Sequence, residues 1–104
     1  MFENGELKYI DLSYFNIIKI MQDEDFIEIQ SMCTKDYWII KKNKFSEERF
    51  PIILYHKHNG QKYYHRHWQC YKVRQCIDSI KNHDYFVMNK RHLPNILKAI
   101  IIRE

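Results

Sequence analysis

The sequence predicts an α+β fold in which an antiparallel β-sheet of three to four strands, including an Asn-Gly hairpin, packs against one or more helices. Three observations predict it. Phe50 to His58 and Gln61 to Trp68 are aromatic and β-branched runs joined by Asn59-Gly60, the dipeptide that supplies φ > 0 at both centres of a type I′ turn. Phe26 to Cys33 alternates, with Ile27 and Ile29 on one face and Glu28 and Gln30 on the other, as a half-buried strand does. Tyr71 to Asn82 carries Val73, Cys76, Ile77 and Ile80 as one stripe, the pattern of an amphipathic helix docked on a sheet.

In chain order, Leu7, Ile10, Tyr14, Ile17, Ile18 and Met21 recur at helical spacing, which predicts a helix over 7–21 with Ser13 suited to cap its second half. The β-branched isoleucines in this stretch keep a strand as the alternative. Asp23-Glu24-Asp25 then turns the chain into the 26–33 strand, and Thr34-Lys35-Asp36 connects it to a second strand, Tyr37 to Lys42. Asn43 to Arg49 is polar and reads as a loop before the hairpin. After the 71–82 helix, Tyr85 to Met88 predicts a short strand. Pro94 suits the first turn of a last helix carrying Ile96, Leu97, Ile100 and Ile101. One domain over 1–104 is expected: a helical acidic segment over 1–25, sheet and helix over 26–88, and a C-terminal helix over 94–104.

A chain of 104 residues fits one core. With 45% hydrophobic and 29% charged residues it is a globular mixture rather than a disordered chain or a membrane span. Gly5 and Gly60 are the only glycines, which excludes phosphate loops that need several glycines at fixed offsets. The net charge of +4 conceals an asymmetry: residues 1–36 hold 3 Lys and 8 Asp/Glu, net −5, whereas residues 37–104 hold 14 Lys/Arg and 5 Asp/Glu, net +9, and all six histidines. Met1 to Glu6 carries no secretory pattern, and the three cysteines lack framework spacing, so free thiols in a reducing cytoplasm are expected. Sixteen Ile and twelve Lys against a single Ala match the codon bias of an AT-rich genome, that of a low-GC microbe or one of its viruses.

A two-residue turn pairs His58 with Gln61, His56 with Tyr63, Tyr55 with Tyr64, Leu54 with His65, Ile53 with Arg66 and Ile52 with His67. One hairpin face then carries Ile52, Leu54, His56, His58, Tyr63, His65 and His67. The other carries Ile53, Tyr55, Lys57, Lys62, Tyr64, Arg66 and Trp68. A helix covers one of these faces. Ile52 and Leu54 favour burying the histidines, while Ile53, Tyr55, Tyr64 and Trp68 favour burying the cations.

Cations that neutralise phosphates, interleaved with rings that stack on bases, suit a sheet to nucleic acid. Lys41, Lys42, Lys57, Lys62, Tyr64, Arg66 and Trp68 are the candidate contacts. Strand aromatics packing a helix while lysines reach water is the competing structural reading. On the first face, His56, His58, His65 and His67 are candidate zinc ligands, because His-x-His on a strand directs both rings the same way and Cys70 follows closely. Metal-bound imidazoles have an orienting carboxylate or carbonyl, and the hairpin holds no Asp or Glu. A polar histidine row facing solvent or a partner is therefore expected first, with zinc as the alternative cofactor. Cys70 and Cys76 default to small core thiols, and no nucleophile, base and orienting acid stand at recognisable spacing.

The order strand 37–42, strand 50–58, Asn59-Gly60, strand 61–68 and amphipathic helix, over residues 37–88, resembles the AP2-like sheet-plus-helix DNA-binding domains of plant transcription factors and phage-type integrases. The resemblance implies a three-stranded sheet in the major groove backed by a helix, with Lys41, Lys57, Lys62, Tyr64 and Arg66 in contact. It departs from the family in replacing the glycine that ends the third strand with Arg66-His67-Trp68 and in a longer connection to the helix.

The first expectation for function is a non-enzymatic basic protein that binds nucleic acid or a nucleoprotein complex, as a regulatory or inhibitory accessory protein of a phage or mobile element. A second copy of the chain is a further expected partner, and a membrane is not. The alternative is a histidine-cluster metal-binding domain or metal-dependent hydrolase. Asp23, Glu24, Asp25 and Glu28 form a solvated face or, in an inhibitor, mimic phosphates toward a cationic partner.

Overall fold

A computed structural model of the chain describes residues 1–43 and 51–90. Five strands run β1 (Phe15–Met21), β2 (Phe26–Ser31), β3 (Tyr37–Lys42), β4 (Ile52–Lys57) and β5 (His65–Cys70), preceded by a one-turn helix α1 (Asn4–Leu7) and followed by α2 (Val73–Lys90). The sheet is an antiparallel meander in the order β1-β2-β3-β4-β5, so the fold is α+β with one strand more than the sequence predicts. The predicted 94–104 helix and most of the 43–49 loop lie outside the described residues.

β2 and β3 follow the alternation that predicted them. Ile27, Ile29 and Ser31 are buried on β2, and Trp38 and Ile40 on β3. Cross-strand pairing carries this face onward, since Trp38 opposes His56 and Ile40 opposes Leu54. Ile52, Cys70, Val73, Cys76, Ile77 and Ile80 complete the core cluster. The buried positions of α2, Val73, Cys76, Ile77, Ile80 and Asp84, fall at helical spacing and pack against the sheet. The helix therefore covers the histidine face of the β4–β5 hairpin, the choice the sequence left open.

The predicted helix over 7–21 is replaced by α1, a turn and strand β1. Leu7, Ile10, Tyr14 and Phe15 do reach the core, but Ile17, Ile18 and Ile20 stay largely exposed on an edge strand. Isoleucine is stiff at χ1 and fits a pleated surface, and β2 supplies the backbone partners that a helix would otherwise have found within itself. Asp25 makes the turn into β2 in the left-handed region, φ 53°, and pairs with the N-terminal amine of Met1. The predicted 85–88 strand is likewise replaced, because α2 continues through it to Lys90.

The hairpin turn sits where predicted but with different geometry. Gln61 N–H donates to the His58 carbonyl across Asn59-Gly60 at 3.0 Å. Only Gly60, at φ 89°, takes a positive φ there. A type I′ turn needs positive φ at both centres, and a turn without that twist splays its strands. The ladder accordingly resumes only at His56 opposite His65, followed by Tyr55 opposite Arg66. A bulge then leaves His67 as an extra residue, and Leu54, Ile53 and Ile52 oppose Trp68, Gln69 and Cys70. The pairs expected from a two-residue loop are thus displaced, and Trp68 leaves the cationic face.

Cys70 and Cys76 are disulfide-bonded, linking the end of β5 to the first turn of α2, while Cys33 keeps its thiol. This corrects the expectation of three free thiols: β5 and α2 meet at a tight corner that brings the two Cα atoms to 6.2 Å, within bridging range. No helix among the described residues is long and apolar enough to cross a membrane.

Candidate metal centre

Under α2, three histidines pack on Trp38, and His58 and His65 join them through His56. The indole lies 4.2 Å from the His56 ring, 5.2 Å from His67 and 5.1 Å from His83, and its Nε1–H donates to Ser31 Oγ at 3.0 Å. His56 is the hub, with ring centroids of His58, His65, His67 and His83 between 4.4 and 5.5 Å away. Each element contributes for a local reason. His56 alternates inward on β4 with Leu54, His65 opposes it on β5, and the bulge turns His67 toward the same space. His83 arrives one turn of α2 beyond Ile80.

The carboxylate missing from the hairpin comes from the β2–β3 turn. Asp36 is buried, and its Oδ2 lies 3.0 Å from His56 Nε2 and 3.2 Å from His58 Nδ1, while Oδ1 accepts from Asn59 N–H at 3.1 Å. The turn is held in place by Lys35 at φ 65°, by the Ser31 N–H donating to the Asp36 carbonyl, and by Thr34 Oγ1 accepting from Asp36 N–H. Asp36 thus orients two of the imidazoles from outside the hairpin. Sequence proximity hid Asp36, 20 residues away from His56. His83 was equally hidden, since its position on the helix stripe marks it as facing the core but says nothing of what it meets.

The electrostatics of His56 fix its ring state. Burial, aided by the neighbouring His83 and His58, pushes the imidazole down to about 4 even though the Asp36 hydrogen bond works the other way. A neutral ring that gives its Nε2 proton to Asp36 presents the Nδ1 lone pair toward His65, whose Nε2 is 3.4 Å away. That separation is long for a hydrogen bond. It matches the edge of a tetrahedron of nitrogens about 2.05 Å from a zinc ion, about 3.3 Å.

Donor atoms of His56, His65 and His67 all lie within 4.8 Å of one another, and so do those of Asp36, His56 and His83. His65 is exposed and His67 half-buried, so the first set opens to solvent while the second is closed beneath the helix. His83 Nδ1 is buried with no hydrogen-bond partner among the described residues, the nearest acceptor being Asp84 Oδ1 at 3.7 Å. Burial alone would raise the Asp84 carboxyl, but the neighbouring His83 and Ser31 and the hydroxyls of Tyr14 and Thr34, both donating to it, outweigh burial and hold the group below the usual carboxylate range. His58 is half exposed and ties the turn to Asp36 rather than facing the open donor set. Cys70, in the disulfide, is no ligand.

The candidate nucleic-acid contacts do not form one surface. Lys57 lies over the rings of Tyr37 and Tyr64 on the sheet face opposite α2, and Tyr64 Oη donates to Glu28. Lys41 shares that face and donates to the Glu24 carbonyl at 3.3 Å. Lys42 is taken up by the N-terminal segment, pairing with Glu6 at 2.6 Å. Lys62 sits on the hairpin connection over Tyr63, and Arg66 donates to Gln69 Oε1 at 2.7 Å. Trp68 stands apart at the β5 edge, 59% exposed. Of the four acids proposed as a phosphate mimic, Asp25 and Glu28 have internal partners, and Asp23 and Glu24 are exposed.

Comparisons with protein-family models, with curated proteins and with solved structures return no match for this chain.

Proposed function

We propose that this domain binds a divalent transition-metal ion of the zinc class through His56, His65 and His67, with Asp36 orienting His56. One observation carries the reading: the His56 ring spans the 3.0 Å contact to Asp36 and the 3.4 Å contact to His65, the carboxylate–histidine–metal arrangement that fixes tautomer and raises ligand basicity. Imidazole donors suit zinc, copper, nickel or iron better than calcium or magnesium. Three protein donors in a solvent-facing set leave a fourth position for water or substrate, as catalytic rather than structural sites do. An ion there would supply Lewis-acid chemistry, while this chain's residues hold it and exclude water from its inner side. The test is zinc titration of untagged, chelator-treated protein. One equivalent bound with submicromolar affinity, and lost in His65→Ala and His67→Ala, supports the centre. No binding above that of the double variant removes it.

A second reading is that the partner is a polyanion, nucleic acid or a nucleoprotein complex. The specific observation is that residues 59–77 carry Lys62, Arg66, Lys72 and Arg74 and no acid. This stretch includes all of β5, the strand that contributes His65 and His67. Binding to single- and double-stranded DNA and RNA that falls steeply with salt supports it, and no binding at low salt removes it.

A further inference from the structure

A groove of about 630 Å³ follows the outer edge of β5, the last strand of the described sheet, and the first turn of α2. Its walls include Arg66, His67, Trp68, Tyr71 and Gln75. From these residues we infer a binding site for one nucleotide unit, a base on Trp68 or Tyr71 with its phosphate on Arg66.

Three independent features converge on that chemistry. Trp68 and Tyr71 are 59% and 49% exposed, two large rings held at the rim of a concave site of ligand size. Every base offers a π-face, and stacking on such rings is tolerant of sequence. Arg66 supplies a planar cation in the lining of the same groove. Its fork geometry matches phosphate oxygens, and residues 59–77 add no carboxylate of their own to this edge. Gln75, whose Oε1 accepts from the Tyr71 and Lys72 amides at 2.9 and 3.1 Å, fixes the Tyr71 backbone against the helix start. This site is therefore shaped before any ligand arrives.

His67 joins the groove to the histidine cluster, since it lines the former while its ring lies 5.5 Å from His56 in the latter. A nucleotide in the groove sits beside the proposed metal, so the inference deepens the polyanion reading and names its subsite. It depends on that reading but not on metal occupancy.

The two tryptophans allow a direct test, because Trp38 is fully buried and Trp68 is exposed. The probes are 5′-AMP and a ten-residue single-stranded oligodeoxyadenylate, titrated at low salt while tryptophan emission is read. Quenching of the exposed tryptophan is expected with both. Trp68→Leu should abolish the quenching, and, in a competition assay with labelled oligonucleotide, weaken binding about tenfold or more. Arg66→Met should weaken it at least fivefold while leaving the fold intact by circular dichroism. Equal affinity for the two probes assigns a free nucleotide, and tighter oligonucleotide binding assigns a strand. Absence of quenching with either probe overturns the site, as does oligonucleotide binding unchanged in both variants. In that last outcome the polyanion reading stands and only the groove fails. Zinc titration of the same variants reports on the metal centre separately.

Discussion

Asp36 Oδ2 receives both His56 Nε2 at 3.0 Å and His58 Nδ1 at 3.2 Å, so a single carboxylate from the β2–β3 turn holds two rings of the β4–β5 hairpin. Asp36→Asn keeps the size but presents a neutral amide to rings that need an acceptor. Loss of such an outer carboxylate typically costs 10–100-fold in metal affinity. We expect a fall of about that size in zinc affinity, measured by competition with a chromophoric chelator, with stoichiometry kept. Unchanged affinity would show that Asp36 only fastens the turn.

His56 is buried and neutral in the folded protein, with its ring pushed down to about 4, against about 6.5 in the unfolded chain. Between those values the unfolded chain binds the extra proton, so its population grows as the pH falls. Stability of the metal-free protein from this group is full above about pH 6.5, declines toward pH 4, and is not reduced further below that. Urea unfolding at pH 7, 5.5 and 4.5 should show the decline, and His56→Gln should flatten it. A wild-type profile no steeper than that of the variant would contradict burial of a neutral ring.

Ile80 is fully buried between α2 and the sheet, one turn before His83. Ile80→Ala should destabilise the fold by about 2–5 kcal/mol, because the cavity collapses only partly. Denaturant midpoints measure this. Zinc added at 100 times its dissociation constant should restore about 2.7 kcal/mol if the ion binds the folded state alone.

The Cys70–Cys76 bridge closes a short loop, with a sequence separation of 6. Chain entropy gives such a loop about 2 kcal/mol. A reductant should lower the unfolding free energy by that amount, read from the fall in the urea midpoint multiplied by the slope m, and Cys70→Ser/Cys76→Ser should reproduce the loss and then ignore reductant. Thiol titration of the protein unfolded in urea without reductant should find one reactive group, Cys33, where three would show the bridge absent.

The acceptor carboxylate was the least legible part of the candidate site. His56, His58, His65 and His67 were readable as a group because a period of two puts alternate strand residues on one face. Asp36 and His83 were not, because they join the cluster only when β3 pairs with β4 and α2 settles over the sheet. Misplacing β1 had a related cause. Ile17, Ile18 and Met21 satisfy a helical stripe and a strand equally well, and only the presence of β2 beside them decides.

By itself the sequence determined the α+β class, strands β2 and β3, the position of the Asn59-Gly60 turn, the start of α2 and the segregation of basic residues and histidines into the last two-thirds. These rest on local periodicity, turn chemistry and counting. Tertiary structure alone decided which hairpin face is covered, the His56–His65 register, the bulge at His67 and the arrival of Asp36 and His83. Those are contacts between residues far apart in the chain, set by strand pairing and helix docking. No local pattern encodes them, because the same alternation is compatible with either face being buried until the sheet and helix meet.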